Sequence, residues 1–158
     1  MGLKNFLLEE EQIVFENCTI QTQDIPSQLI SKIRHIQSLI PEDYLYDKED
    51  ERDWIENGIQ KLIHITVLYG IEERDEEIIR KLYHENLKDG CYIDTDSLIY
   101  FDNKEKGFSV VVIKCKSNEL TKFHELLKSS VMNKDEHPEF IPHITIAYLK
   151  YGKRLDDE

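Results

Sequence analysis

Glycine is scarce, with six residues in 158 and none clustered, so neither a Walker-type phosphate loop nor a dinucleotide-binding glycine pattern is present. Cysteine is scarce too: Cys18, Cys91 and Cys115 stand apart with no C-x-x-C spacing. That odd, scattered set excludes a disulfide framework and points to a reducing compartment. No apolar run approaches the length of a membrane span. The start, Met-Gly-Leu-Lys-Asn-Phe, lacks a long apolar core followed by a small-residue cleavage site, and Phe6 stands where myristoylation wants Ser or Thr. The expected location is the cytoplasm, with no membrane partner. Positive charge is the remaining shortage: 20 basic residues face 32 acidic ones, a net charge of −12. Proteins that grip long nucleic acid neutralise several phosphates with a basic face, so such a partner is disfavoured. A small substrate with a few phosphates is still accommodated, because a pocket can be locally positive on an acidic body.

A chain of this length is expected to be a single domain over residues 1–158, able to bury about two thirds of its unfolded surface. Gln12 to Ile20 has the pattern of a strand. From Pro26, suited to a first helical turn, Leu29, Ile33, Ile36 and Ile40 follow at helical spacing until Pro41. Glu42 to Asn57 is acidic and weakly periodic, a long loop or lid carrying Tyr44, Tyr46 and Trp54. Leu62 to Tyr69 is an apolar strand ended by Gly70. Asp75 to Leu87 is an amphipathic helix with an acidic first turn. Cys91 to Phe101 and Phe108 to Cys115 form a hairpin. Ser117 or Asn118 caps a helix to about Val131, and a last strand spans Ile141 to Leu149.

Within the two apolar strands lie near copies of one motif, His64-Ile65-Thr66-Val67 and His143-Ile144-Thr145-Ile146. Alternate side chains of a strand share a face, so each copy presents an imidazole and a hydroxyl side by side. Two such strands brought together surround a small anion with two imidazoles and two hydroxyls, which suits acid-base cleavage of a phosphodiester. A single His-apolar-Thr is unremarkable, a histidine bonded to backbone. Two matched copies are expected by chance on the order of once in a hundred chains. Each copy also closes the same order of elements, strand, helix, then His-x-Thr strand. Two similar lobes about an approximate two-fold axis are therefore expected, with both motif strands central and facing one cleft.

A metal site is the competing account of two histidines. Zinc sites need three or four ligands, often closely spaced. Here each histidine is paired with threonine, with no His, Cys, Asp or Glu at i+2 or i+4, so no metal and no cofactor is expected. No thiol sits beside either motif, which leaves a Cys-His nucleophile pair unsupported. His35 and His84 fall on helix surfaces, His124 neighbours Phe123 and is expected to be half buried, and His137 lies in a loop before Pro138.

Paired His-x-Thr motifs in a short, two-lobed α+β chain resemble the 2H phosphoesterase superfamily, which includes cyclic phosphodiesterases and 2'-5' RNA ligase-like proteins. Leu68-Tyr69-Gly70 after the first motif, and Pro142 before the second with Ala147-Tyr148-Leu149-Lys150 behind it, are most similar to phage-encoded anti-CBASS nucleases. Those enzymes destroy cyclic oligonucleotide alarm signals made by bacteria. The resemblance implies a pseudo-symmetric fold with antiparallel sheets lining a central cleft and helices outside. It also implies a hydrolase with His64, Thr66, His143 and Thr145 as its catalytic set, acting in the host cytoplasm on a small cyclic or linear oligonucleotide. A 2',3'-cyclic phosphodiesterase and a 2'-5' RNA-end processing enzyme remain open as substrate-level alternatives, and a non-catalytic nucleotide sponge as a different class.

One imidazole would act as base and the other as acid, while the threonine hydroxyls donate to the non-bridging phosphoryl oxygens. Aromatic residues stack on bases. Trp54, Tyr148, Tyr151 and Lys150 are the substrate-binding candidates, with Tyr46, Tyr69 and Lys153 nearby. Strict alternation along the strand points Tyr69 and Tyr148 away from the histidines.

Overall fold

The computed structural model of the chain describes residues 2–6, 13–16, 19–22, 25–47, 55–69, 71, 76–87, 91–131, 133, 135 and 139–155. Over these residues the fold is α+β. Strands Gly2–Phe6 (β1), Ile13–Glu16 (β2) and Thr19–Thr22 (β3) precede helix Ser27–Leu39 (α1). The short strands Ile55–Glu56 (β4) and Ile59–Gln60 (β5), then Ile65–Tyr69 (β6), lead to helix Glu76–Asn86 (α2). Cys91–Asn103 (β7), Phe108–Lys116 (β8), helix Asn118–Ser130 (α3) and His143–Lys150 (β9) complete the order.

The strands form one sheet in the order β1-β7-β8-β9-β6-β3-β2, with the β4–β5 hairpin attached to β9 through β5. Every pairing is antiparallel. The plural sheets of the expectation are therefore a single continuous one, and the strands of both motifs lie at its middle.

All three helices form where apolar periodicity placed them. Ser117 is the cap of α3, its hydroxyl accepting the Leu120 N–H at 3.2 Å. Leu29 and Ile33 of α1, Ile79 and Tyr83 of α2, and Leu120, Phe123 and Leu127 of α3 pack with Ile65, Val67, Ile113, Ile144 and Ile146 into one core. Cys91 and Cys115 lie in it, and burial pushes their thiols up to about 11 and about 12, so neither is a thiolate at neutral pH.

Two expectations are corrected. The stretch Gln12 to Ile20 is not one strand but part of the hairpin of β2 and β3, in which Glu16 pairs with Thr19, so the chain reverses within what reads as a continuous run. Nor are the described parts of the Glu42–Asn57 stretch a free lid. They hold a 3-10 turn at Glu42–Tyr44, a bridge between Leu45 and Leu149, and the start of the β4–β5 hairpin. The cause lies in β6, which pairs with β9 only at Ile65–Ile144 and leaves the rest of that edge of β9 exposed. Backbone groups on such an edge need partners. The Tyr46 N–H donates to the Tyr148 carbonyl at 2.9 Å, and the Tyr148 N–H donates to the Gly58 carbonyl at 2.6 Å. Trp54, Gly70 and His137 lie outside the described residues.

Candidate active site

Ile65 stands directly across from Ile144. Carrying that register one residue each way sets Thr66 across from His143 and His64 across from Thr145. Ile65 and Ile144 are buried in the core, so alternation turns all four motif side chains to the other face, where each is half-buried. The histidines are diagonal neighbours on that face, a relation that in a regular antiparallel pair separates residues by about 7–8 Å. The two motifs thus meet side by side on neighbouring strands of one sheet.

Each motif also carries the same irregularity. On β6, Thr66 faces Gln21 and Leu68 faces Ile20, so Val67 is an extra residue with no opposite number. On β9, Thr145 faces Val112 and Ala147 faces Val111, so Ile146 is the extra residue. Both bulges fall on the residue immediately after the threonine. A bulge resets the alternation of the strand beyond it. Tyr148 faces Val110, which shares a face of β8 with Val112 and Lys114, the partners of Thr145 and His143. The expectation that Tyr148 points away from the histidines is therefore corrected: the bulge returns it to their face. Tyr69 holds the matching place after the first motif in the sequence.

The imidazoles share a second feature. Nδ1 of His64 lies 3.0 Å from the Leu62 carbonyl, and Nδ1 of His143 lies 2.7 Å from the Ile141 carbonyl, each two residues back. A carbonyl only accepts, so Nδ1 carries the proton in both rings, and a neutral ring then has its lone pair on Nε2.

Beyond the Ile65–Ile144 contact the strands diverge and open a cleft of about 510 Å³, lined by Thr66, His143, Phe101, His124, Asp135 and Phe140 among others; of the four motif residues only Thr66 and His143 line it, while His64 and Thr145 lie outside its lining. The Phe101 ring meets His143 edge-on, with centroids 5.0 Å apart. Lys114, directly across from His143 on β8, brings positive charge to the face that carries the motif. Asp135 and Glu139 add carboxylates to the cleft lining. Among the described residues no group of three or more His, Cys, Asp or Glu side chains is arranged to hold a metal ion.

The model of the family described as anti-CBASS protein Acb1 matches residues 49–158, which include both motifs and every element from β4 to β9. The chain belongs to the anti-CBASS protein Acb1 family. No curated protein matches it. The family is one of phage proteins directed against CBASS immunity, and among the described residues no helix is long and apolar enough to cross a membrane.

In this Acb1-family chain the other substrate-binding candidates separate. Tyr148 is half-buried and packs edge-on against Phe108, with centroids 5.3 Å apart. Lys150 and Tyr151 are exposed at the far end of β9, and the Tyr151 N–H donates to the Gly107 carbonyl. The following segment crosses to the core side of the sheet. There the Gly152 N–H donates to the Ser109 hydroxyl, the Leu155 N–H to the Tyr100 hydroxyl, and Arg154 to Asp102. The Ser109 hydroxyl, and after it Arg154, hold the Asp102 carboxyl below its ordinary range. Lys153 lies over the Tyr44 ring.

Sequence reasoning missed Phe101, Asp135 and Phe140 as wall residues and Lys114 as the neighbour of His143, and expected His124 to be half buried where it is buried. Only His124 carried a signal, a polar residue on the apolar stripe Leu120, Phe123, Leu127.

Proposed function

We propose that the protein is a metal-independent 2H phosphodiesterase that opens cyclic oligonucleotide signals, with His64 and His143 as an acid-base pair. What carries this reading is the identity of the two half-sites: each has the His-x-Thr side chains on one face, the same bulge after the threonine, and the same Nδ1 bond to the carbonyl two residues back. That likeness also supports one domain of two similar lobes about an approximate two-fold axis. Family membership supports a cyclic oligonucleotide as the substrate and the cytoplasm of the infected host as the place of action.

Cleavage deprotonates an incoming oxygen, from water or a ribose 2'-hydroxyl, and protonates the departing one. With Nδ1 fixed as a donor in both rings, Nε2 is the working nitrogen, neutral in one imidazole and protonated in the other. Thr66 and Thr145 donate to the non-bridging oxygens as charge builds on them, and Lys114 adds a positive charge beside His143. Phe101 and Tyr148 offer aromatic surface to the bases. Tyr148 lies roughly 15 Å along β9 from His143, a span suited to the second nucleotide of a small ring.

The test is incubation with cyclic di- and trinucleotides, 2'-5' oligomers and 2',3'-cyclic monophosphates, with products resolved by chromatography. Opening of the cyclic oligonucleotides, unchanged by chelator, is the expected result. Processing of only the 2'-5' oligomers or the cyclic monophosphates would move the assignment to RNA ends. Tight binding without turnover would make the protein a sponge, and loss to chelator with recovery on adding zinc would overturn the metal-free mechanism.

Replacing Thr66 or Thr145 by valine preserves shape and β-branching but removes the hydroxyl. The expected loss is about 10²–10³-fold in kcat, the cost of one oxyanion donor, with KM little changed. A valine variant at wild-type kcat would show that its threonine does not contact the phosphoryl group.

A further inference from the structure

The extra residue of a β-bulge falls out of the ladder, and a buried carbonyl there needs a donor from elsewhere. Val67 and Ile146 are both buried, and both carbonyls receive a side-chain bond from a helix. The Nδ1–H of His124, on α3, donates to the Val67 carbonyl at 2.6 Å. The Nε2 amide of Gln37, on α1, donates to the Ile146 carbonyl at 3.0 Å and to the Gln60 carbonyl at 2.8 Å.

The donors cross over. Helix α1 precedes the first motif in the chain yet holds the bulge of the second, while α3 precedes the second motif and holds the bulge of the first. Each donor is also oriented by a neighbour. Arg34 donates to Oε1 of Gln37 at 2.9 Å, which turns the amide nitrogen toward the carbonyls. The His124 ring stacks on Phe140, with centroids 4.0 Å apart and planes within 6° of parallel, and its Nε2 lies 3.7 Å from Asp135.

We propose that Gln37 and His124 are positioning residues, each fixing the bulge that follows the threonine of the opposite half and so setting where Thr66 and Thr145 aim. Their effect on catalysis rests on the phosphodiesterase reading; the clamp itself does not. Crossed clamps lock the halves together, so neither threonine moves without the helix of the other half. They also explain why a histidine and a glutamine occupy stripes that apolar side chains would otherwise fill.

The test combines amide hydrogen exchange with kinetics on cyclic dinucleotides in the full chain. His124→Phe keeps a ring against Phe140 but removes the donor, His124→Asn returns an N–H the same number of bonds from the backbone, and Gln37→Met keeps length without a donor. His124→Phe is expected to speed exchange around Val67 and Leu68 by about tenfold, the worth of one net hydrogen bond, while leaving Ile146 and Ala147 unchanged. Gln37→Met is expected to do the reverse. In both, kcat falls about 10- to 100-fold with KM nearly constant, as small misplacements of reacting groups produce, and His124→Asn recovers most of the loss. Exchange that rises equally at both bulges or at neither, or an asparagine variant as impaired as the phenylalanine one, would overturn the proposal. Should His124→Phe fail to fold, Gln37→Met and His124→Asn, compared at the two bulges, decide in the same way. Failure of the wild-type protein to cleave any of the cyclic di- and trinucleotides, 2'-5' oligomers or 2',3'-cyclic monophosphates sinks the phosphodiesterase reading instead, and the exchange pattern still decides the clamp.

Discussion

Alanine at either His64 or His143 is expected to reduce cleavage about 10²–10⁴-fold, the contribution of a positioned acid or base, and alanine at both is expected to reduce it little further. Near-equivalence of the single and double variants follows because the two imidazoles act in one event: with no acid the base accomplishes little, and the reverse. The wild-type rate should trace a bell against pH, falling on the acid side as the base takes up a proton and on the alkaline side as the acid loses one. Each single variant should lose one limb of the bell. Folding is expected to survive, since each histidine is half-buried and the bond given up, to the Leu62 or Ile141 carbonyl, is worth about 1 kcal/mol. Thermal melting beside steady-state kinetics separates the two effects. A purified alanine variant that folds and turns over at the wild-type rate would remove its histidine from the mechanism.

How much of this site the sequence reveals depends on whether a feature is local. The His-x-Thr copies are local, and strand alternation alone puts each imidazole beside its hydroxyl. The three helices are legible from the spacing of Leu29 and Ile33, of Ile79 and Tyr83, and of Leu120, Phe123 and Leu127. The bulges are not legible, because a bulge is a mismatch between two strands and exists only once Thr145 faces Val112 and Ala147 faces Val111. That one mismatch decides the face on which Tyr148 lies. The cleft walls are hidden for a similar reason. Phe101 comes from β7, Asp135 and Phe140 come from the connection between α3 and β9, and only the divergence of β6 and β9 brings them to one opening. Other signals were present but overlooked. Gln37 follows Ile33 by four residues, on the apolar stripe of α1, where a polar side chain implies a buried partner. Asn57-Gly58, among the strongest short hairpin signatures, lies at the end of a stretch whose acidity suggested a loop.

That Asn-Gly pair carries the second large effect: Gly58→Ala is expected to destabilise the protein by about 3 kcal/mol or more. Asn57 and Gly58 both have positive φ, 50° and 83°, as a two-residue turn matched to the twist of β4 and β5 requires. An L-residue in the left-handed region costs about 1–2 kcal/mol by itself. At Gly58 a steric term adds to it, because a Cβ there meets the Tyr46 carbonyl oxygen at 2.5 Å and the Tyr148 carbonyl oxygen at 2.7 Å. Both are backbone atoms, so no side chain can swing away, and relief requires β9 or the Tyr46 segment to move. Gly107 supplies the control. Its φ is 80°, but a Cβ there meets nothing within 4 Å, so Gly107→Ala should cost only the conformational term, about 1–2 kcal/mol. Denaturant unfolding of the two variants side by side cancels that shared term and leaves the close approach at β9. Equal losses would mean that the β4–β5 turn does not press on that strand. A larger loss at Gly58, accompanied by a raised KM, would tie the turn to the placement of Tyr148, whose N–H donates to the Gly58 carbonyl and whose ring stands on the face that carries the histidines.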